Sequence, residues 1–224
     1  MGPRVGVVVF PGTNCEYDAA TALSALGADV RYVWHHSASL GDLDVVVLPG
    51  GFAHGDYLRP GAIASFSEVM GAVGEFAESG GAVLGICNGF QVLCESGLLP
   101  GALQKNAGLT FLCEQTEVEV ASGDSVLTSG VSPGTRLRIP INHFAGSYVC
   151  DEATLASLRD GNQVLLRYTT NPNGSLDDIA GIANERGNVV GLMPHPERAS
   201  SPLLGSTDGL VLLDALLSNV RARV

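Results

Sequence analysis

At 224 residues the chain is long enough to bury a sizeable core, and 46% hydrophobic content with only 16% charged residues excludes a disordered polymer. Twelve basic residues against 23 acidic ones give a net charge of −11 with no basic run, which excludes nucleic-acid binding by clustered phosphate neutralisation. The five cysteines are odd in number and include no Cys-x-x-Cys pair, so reduced thiols are expected rather than a disulfide frame or a zinc knuckle.

The first element in chain order is an apolar run over residues 5–10, stopped by Pro11 and Gly12. A continuous apolar run of this length predicts a strand buried on both faces. It is too short to cross a bilayer and lacks the architecture of a signal peptide, as do the runs at 45–48 and 82–86, so no membrane role and a cytoplasmic location are expected. A short helix is predicted over 19–26, closed by Gly27, then strands at 30–34 and 44–48. His35 and His36, at the end of the second strand, read as solvated. Pro49-Gly50-Gly51 stops the third strand, and a polar loop carrying His54, Asp56, Tyr57 and Arg59 follows. Residues 60–78 read as a longer helix, with Phe66, Val69, Met70 and Val73 at i, i+3, i+4 and i+7 on one face. A fourth buried strand over 82–86 leads into a helix over 88–96. Strands alternating with helices predict a parallel sheet with right-handed crossovers.

The second half changes character. Residues 116–120 alternate polar and apolar, and further short strands are predicted at 137–141, 164–168, 179–183 and 189–193. Turns are expected at Asn173-Gly174 and 184–188, and an amphipathic helix over 210–221 presents Leu213, Leu216, Leu217 and Val220. The expected architecture is an α/β fold, a mainly parallel sheet flanked by helices with antiparallel hairpins added in the C-terminal half. Without a linker or repeat, residues 1–224 read as one domain.

The sharpest local signal is Gly85-Ile86-Cys87-Asn88-Gly89, between a strand and a helix. This is the nucleophile-elbow pattern with cysteine in place of serine. A sharp strand-to-helix turn strains the backbone at the nucleophile and crowds its neighbours, so glycine is needed on either side. The turn also sets the sulfur at a helix N-terminus, which favours thiolate, and aims the Asn88 N–H at a developing oxyanion. The complementary signal is Met193-Pro194-His195-Pro196-Glu197, directly after a predicted strand. Histidine can take the thiol proton and return it to a leaving amine, and Glu197 is placed to fix its tautomer. Pro49-Gly50-Gly51-Phe52 follows the neighbouring strand, and its N–H groups would complete the oxyanion hole. Gln91, one helical turn after Cys87, shares its side of the helix. His143 is a second candidate base with no carboxylate near it in sequence. There is no His-Glu-x-x-His, no phosphate loop and no dinucleotide fingerprint, so no metal or nucleotide is expected on this chain.

With these residues in view, the chain resembles the class I glutamine amidotransferases. The resemblance runs over nearly the whole length and is carried by residues 10–15, 49–52 with 55–59, 85–91 with 97–101, 171–175 and 191–198. Within the class, Gly55-Asp56-Tyr57-Leu58-Arg59 and Asn173-Gly174-Ser175 match the free-standing glutaminase subunits of a purine-biosynthetic synthase. The resemblance implies that Cys87, His195 and Glu197 hydrolyse L-glutamine through a thioester, with Gly51 and Asn88 as the oxyanion hole and with Gln91, Gly51 and the adjacent Gly50 holding the substrate. It implies no cofactor in this chain, ammonia passed to a large synthetase subunit that uses ATP and magnesium to convert formylglycinamide ribonucleotide to its amidine, and a small third subunit. The chain departs from the family at His143-Phe144-Ala145-Gly146, where an acidic residue is usual. Two other readings of the same residues stand beside this one, a peptidase or esterase on the same scaffold and a non-catalytic subunit with a relic elbow.

Overall fold

The computed structural model describes residues 2–222. Its elements in chain order are β1 (Arg4–Val9), α1 (Glu16–Ala25), β2 (Asp29–Trp34), β3 (Val45–Leu48), α2 (Glu68–Glu78), β4 (Ala82–Ile86), α3 (Asn88–Glu95), β5 (Ala102–Lys105), β6 (Leu112–Val120), β7 (Arg136–His143), β8 (Ala145–Val149), α4 (Glu152–Asp160), β9 (Val164–Tyr168), β10 (Ile179–Ala183), β11 (Val189–Leu192) and α5 (Gly209–Arg221). Nine strands form one sheet in the order β2-β1-β3-β4-β11-β10-β9-β6-β7, and β5 pairs with β8 in a separate antiparallel ribbon.

The sheet has two halves. From β2 to β11 every neighbouring pair is parallel, and from β11 to β7 every pair is antiparallel. The expected α/β architecture is therefore present. The parallel strands β3 and β4 are wholly buried, as their unbroken apolar runs require. No helix among the described residues is long and apolar enough to cross a membrane.

The insertion of β11 beside β4 decides where the chemistry sits. Register pairs Leu192 with Ile86, and β3 pairs Leu48 with Gly85, so the residues after all three strands leave the sheet together at one carboxyl edge. Glycines set the spacing there. A Cβ on Gly89 would lie 1.9 Å from the Leu48 carbonyl oxygen, and one on Gly191 would lie 2.1 Å from the Phe90 ring. Phe90 fills that space and stacks on Tyr148 of β8 with ring centroids 6.1 Å apart, tying the elbow helix to the ribbon.

Three expectations are corrected. The helix expected over 60–78 begins only at Glu68, because Ser67 is extended (φ −66°, ψ 145°) and a short 3-10 turn, Ala64–Phe66, precedes it. Phe66 therefore leaves the apolar face and is exposed, while Val69, Met70 and Val73 remain buried. His35 is buried rather than solvated, packed edge-on to Trp34 and 5.4 Å from the His54 ring, and burial lowers its proton affinity. The strand expected over 116–120 runs from Leu112, and β5, β8 and α4 were not anticipated.

Candidate active site

Cys87 stands between β4 and α3 with φ 51° and ψ −103°, a left-handed conformation for a residue with a Cβ. Such a backbone costs about 1–3 kcal/mol and persists only where its surroundings hold it. Here its N–H donates to the Leu192 carbonyl oxygen at 2.7 Å, and Gly85 and Gly89 admit the turn: a Cβ on Gly85 would approach the Gly89 carbonyl carbon to 2.7 Å. The thiol is nearly buried and lines a cavity of about 670 Å³, with the Asn142 carbonyl oxygen 3.7 Å from the sulfur.

His195 lies just beyond the end of β11, on the strand next to that of Cys87. Its backbone N–H donates to the Pro140 carbonyl oxygen of β7 at 2.8 Å. Its Nδ1 lies 2.6 Å from Glu197 Oε1, with both side chains almost wholly buried. Burial opposes a charged imidazole, but the Glu197 carboxylate and the Cys87 thiol outweigh it and hold the proton affinity of His195 well above the ordinary histidine range. Among the described residues the Nε2 atom has no hydrogen-bond partner, and Cys87 and Cys15 are the sulfur neighbours of the ring. That arrangement leaves one ring nitrogen bound to a carboxylate and the other free for proton transfer, the constellation expected of a thiol nucleophile and its base.

The remaining expected residues are placed as follows. Gly51 has φ +139°, and a Cβ there would lie 2.7 Å from the Asn14 amide nitrogen. Its neighbour Phe52 donates to the Gly12 carbonyl oxygen at 3.1 Å, so the Gly51 N–H itself is outside that ladder. The Asn88 N–H is the first of α3, where helices leave donors unpaired. The Asn88 side chain is consumed locally: Oδ1 accepts from the Ala53 amide at 2.9 Å, and Nδ2 donates to Gln91 Oε1 at 2.8 Å and Asp56 Oδ1 at 3.2 Å. Gln91 lines the cavity, and its Nε2 donates to the Ala145 carbonyl oxygen at 2.5 Å. Gly50 faces the base instead of the cavity, because a Cβ there would lie 2.7 Å from His195 Cε1.

His143 also lines the cavity, but its Nδ1 meets Asn106 Oδ1 at 3.0 Å, and no carboxylate among the described residues pairs with it. Burial and the nearby His195 push it down to about 4, so it is neutral near neutral pH. Sequence spacing gave no sign of a third arm behind the base. Cys15, the residue that opens α1, places its Sγ 3.2 Å from Arg198 Nη2, and Arg198 Nε donates to Asp18 at 3.0 Å. Ligand atoms of Cys15, His195 and Glu197 lie within 4.8 Å of one another. The Arg198 guanidinium against the sulfur sets a fixed positive charge there, which disfavours a cation and suits a packing role. The only hint in the sequence was the resemblance carried by residues 10–15.

The chain has relatives among known proteins. Residues 2–207 match the model of the CobB/CobQ-like glutamine amidotransferase domain. The chain is 56% identical over 218 residues, 97% of its length and 99% of the relative, to phosphoribosylformylglycinamidine synthase subunit PurQ of Rubrobacter xylanophilus. It is 54% identical over 221 residues to the subunit of that name from Trichormus variabilis, covering 98% and 99% of the two chains. Among solved structures, PurLQS from Thermotoga maritima contains a chain that superposes with a TM-score of 0.90 at 43% identity, over 97% of this chain and 99% of that one.

Proposed function

The chain belongs to the CobB/CobQ-like glutamine amidotransferase family, and from that premise we propose that Cys87, His195 and Glu197 are its catalytic residues, carried on a single domain of residues 1–224. It is the glutaminase component of phosphoribosylformylglycinamidine synthase in purine biosynthesis and works in a complex with the large synthetase subunit. The observation that carries the assignment of roles is the buried 2.6 Å pair of His195 and Glu197, held by strand register beside the strained elbow of Cys87.

The chemistry follows from that placement. Glutamine enters the cavity with its side-chain amide against Cys87. His195 takes the thiol proton on Nε2, and the sulfur attacks the amide carbon. Negative charge gathers on the amide oxygen, where the N–H groups of Gly51 and Asn88 receive it without reorganising. Glu197 stabilises the imidazolium and keeps Nε2 aimed inward. The imidazolium gives its proton to the departing nitrogen, the C–N bond breaks, and ammonia leaves a thioester on Cys87. Water, deprotonated by the same imidazole, attacks the thioester and releases glutamate. Gln91 holds the Ala145 carbonyl as part of the cavity wall, and Gly50 leaves the room that the base occupies.

The ammonia passes to the large subunit, which binds the ATP and magnesium that convert formylglycinamide ribonucleotide to its amidine. A small third subunit completes the assembly, and the whole works in the cytoplasm. Support for this division lies in the absence of any phosphate loop from the sequence, and in the 0.90 TM-score to a chain of PurLQS. The test is glutamate release from glutamine by the chain alone and with the synthetase subunits, ATP and formylglycinamide ribonucleotide. Release that rises sharply in the full mixture and vanishes in Cys87→Ala supports the reading. No glutamate under either condition overturns it.

A further inference from the structure

Two stretches that carry the family likeness, residues 10–15 and 191–198, end in side chains that the proposed chemistry leaves unused: Asn14 and Cys15 in the first, Arg198 in the second. The fold brings them together behind the base. Cys15 is buried, and its Sγ donates to Asn14 Oδ1 at 3.1 Å and accepts from Arg198 Nη2 at 3.2 Å. The other edge of the guanidinium is fixed as well, because Nε donates to Asp18 Oδ2 at 3.0 Å. The sulfur borders the imidazole. The point where a Cβ on Gly50 would fall lies 3.1 Å from Cys15 Sγ, 2.7 Å from His195 Cε1 and 3.4 Å from His195 Nδ1. The sulfur, a ring nitrogen of His195 and a carboxylate oxygen of Glu197 lie within 4.8 Å of one another.

Arg198 also serves Glu197. Oε1 of that carboxylate is taken by His195, and the buried Oε2 has no hydrogen-bond partner among the described residues. A buried carboxylate with one bare oxygen is costly unless a nearby charge compensates it. Glu197 and Arg198 both line a rear cavity of about 400 Å³ with Asp18, Thr21, Ser200 and Leu204, and Arg198 is the only base among these residues. Burial opposes the charge of Arg198, but Cys15, Asp18 and Glu197 together outweigh it. Its backbone N–H donates to the His195 carbonyl oxygen at 3.0 Å, so base and guanidinium are fixed to one turn of chain.

We infer that Arg198 and Cys15 are positioning residues for the reaction: Arg198 clamps the Cys15 sulfur against the imidazole edge and compensates Glu197, so that Nε2 of His195 stays aimed at Cys87. This rests on the glutaminase reading and goes beyond it by assigning a function to the arm behind the base. Arginine suits the position because one planar group holds a carboxylate through Nε and a sulfur through Nη2 at once, which an ammonium cannot do in that geometry.

The test compares Arg198→Met, Arg198→Lys and Cys15→Ala in the assembled synthase, with glutamate release followed against glutamine concentration and pH. Arg198→Met and Cys15→Ala should each lower kcat about tenfold with KM within about twofold, since a misaligned base slows chemistry and not binding. The alkaline limb of kcat/KM reports proton loss from the His195 imidazolium. That ring faces Glu197 and Arg198 on its own segment, Cys87 from the elbow, Cys15 from the start of α1 and His143 from β7. Removing the cation beside Glu197 should raise the limb, and removing the sulfur should lower it, each by about half a pH unit or more. Arg198→Lys should restore the limb but not kcat, because it keeps the charge and loses the fork. Where Arg198→Met does not fold, Arg198→Lys and Cys15→Ala carry the test. Wild-type turnover with kcat and limb unchanged in the variants overturns the arm and leaves the glutaminase intact. A fall in kcat with an unmoved limb, and no difference between Lys and Met at 198, reduces both side chains to packing and overturns it as well. No glutamate from the wild-type synthase overturns the glutaminase reading itself.

Discussion

The two halves of the sheet do different work. The parallel half places the proposed reacting groups at the carboxyl ends of its strands: Cys87 after β4, His195 after β11, and the Gly50-Gly51 turn after β3. The antiparallel half and the β5–β8 ribbon supply walls and accepting carbonyls: Pro140 accepts from the His195 amide, Asn142 from the Cys87 sulfur, and Ala145 from Gln91. A parallel edge gathers residues far apart in sequence because all its strands point one way. Antiparallel strands turn back on themselves and offer surfaces instead. Damage to the first half should therefore appear in kcat, and damage to the second in KM or stability.

The most severe break is Cys87→Ala. Glutamine-dependent turnover should fall about a thousandfold or more, while synthesis driven by added ammonia in the complex survives. Both rates from one preparation make the measurement. Next is Glu197→Gln, which removes the acceptor that fixes His195 and should slow acylation and deacylation about a hundredfold with KM nearly unchanged. A large loss of glutamine affinity at normal turnover would contradict that role. Gly50→Ala sharpens the same point from the backbone. The added methyl meets His195 Cε1 at 2.7 Å and Cys15 Sγ at 3.1 Å, so kcat should fall about tenfold to a hundredfold by displacement of the base alone.

The antiparallel side is probed by Asn106→Ala. Asn106 is buried in the loop between β5 and β6. Its amide donates to the carbonyl oxygens of Thr110 and His143, each at 2.9 Å, and its Oδ1 meets His143 Nδ1 and the Gly146 amide. Stranding these partners should cost about 2–3 kcal/mol in denaturant unfolding and raise KM more than it lowers kcat. An equal drop in kcat would dissolve the contrast between the halves. The smallest effect is the pH dependence set by Asp56. Its folded value of about 6 exceeds the unfolded 3.8, so the folded state binds more protons between these pH values and stability falls as pH rises through them. The carboxylate is partly solvated and shares its cavity with Arg59, Lys105 and His143. The loss at pH 8 relative to pH 4 should therefore be only about 1 kcal/mol, absent from Asp56→Asn.

Sequence reading recovered the first half better than the second for a physical reason. Buried parallel strands are unbroken apolar runs, and the Gly50-Gly51 turn, the elbow and the His-Pro-Glu segment each follow one, so all three strand ends at the candidate site were legible. The ribbon was not, because Ala102–Lys105 is short and half exposed and shows no alternation. Phe66 was misread because helical spacing continues through Ser67, although the backbone does not. Cys15 and Asp56 reach the site across the fold, and no spacing in the chain announces either contact. The run 55–59 reads from its residues only as a polar loop, and its likeness to relatives is what marks it further.

The tether from the Pro140 carbonyl to the His195 amide has a consequence for biogenesis. On the ribosome the nucleophile emerges long before its base, and the base cannot be hung until β7 and β11 have both been made and paired. Until then the thiol has no activator. A nascent or truncated chain thus cannot hydrolyse glutamine and release ammonia to no purpose. The late strand works as a safety catch, released only by completion of the fold.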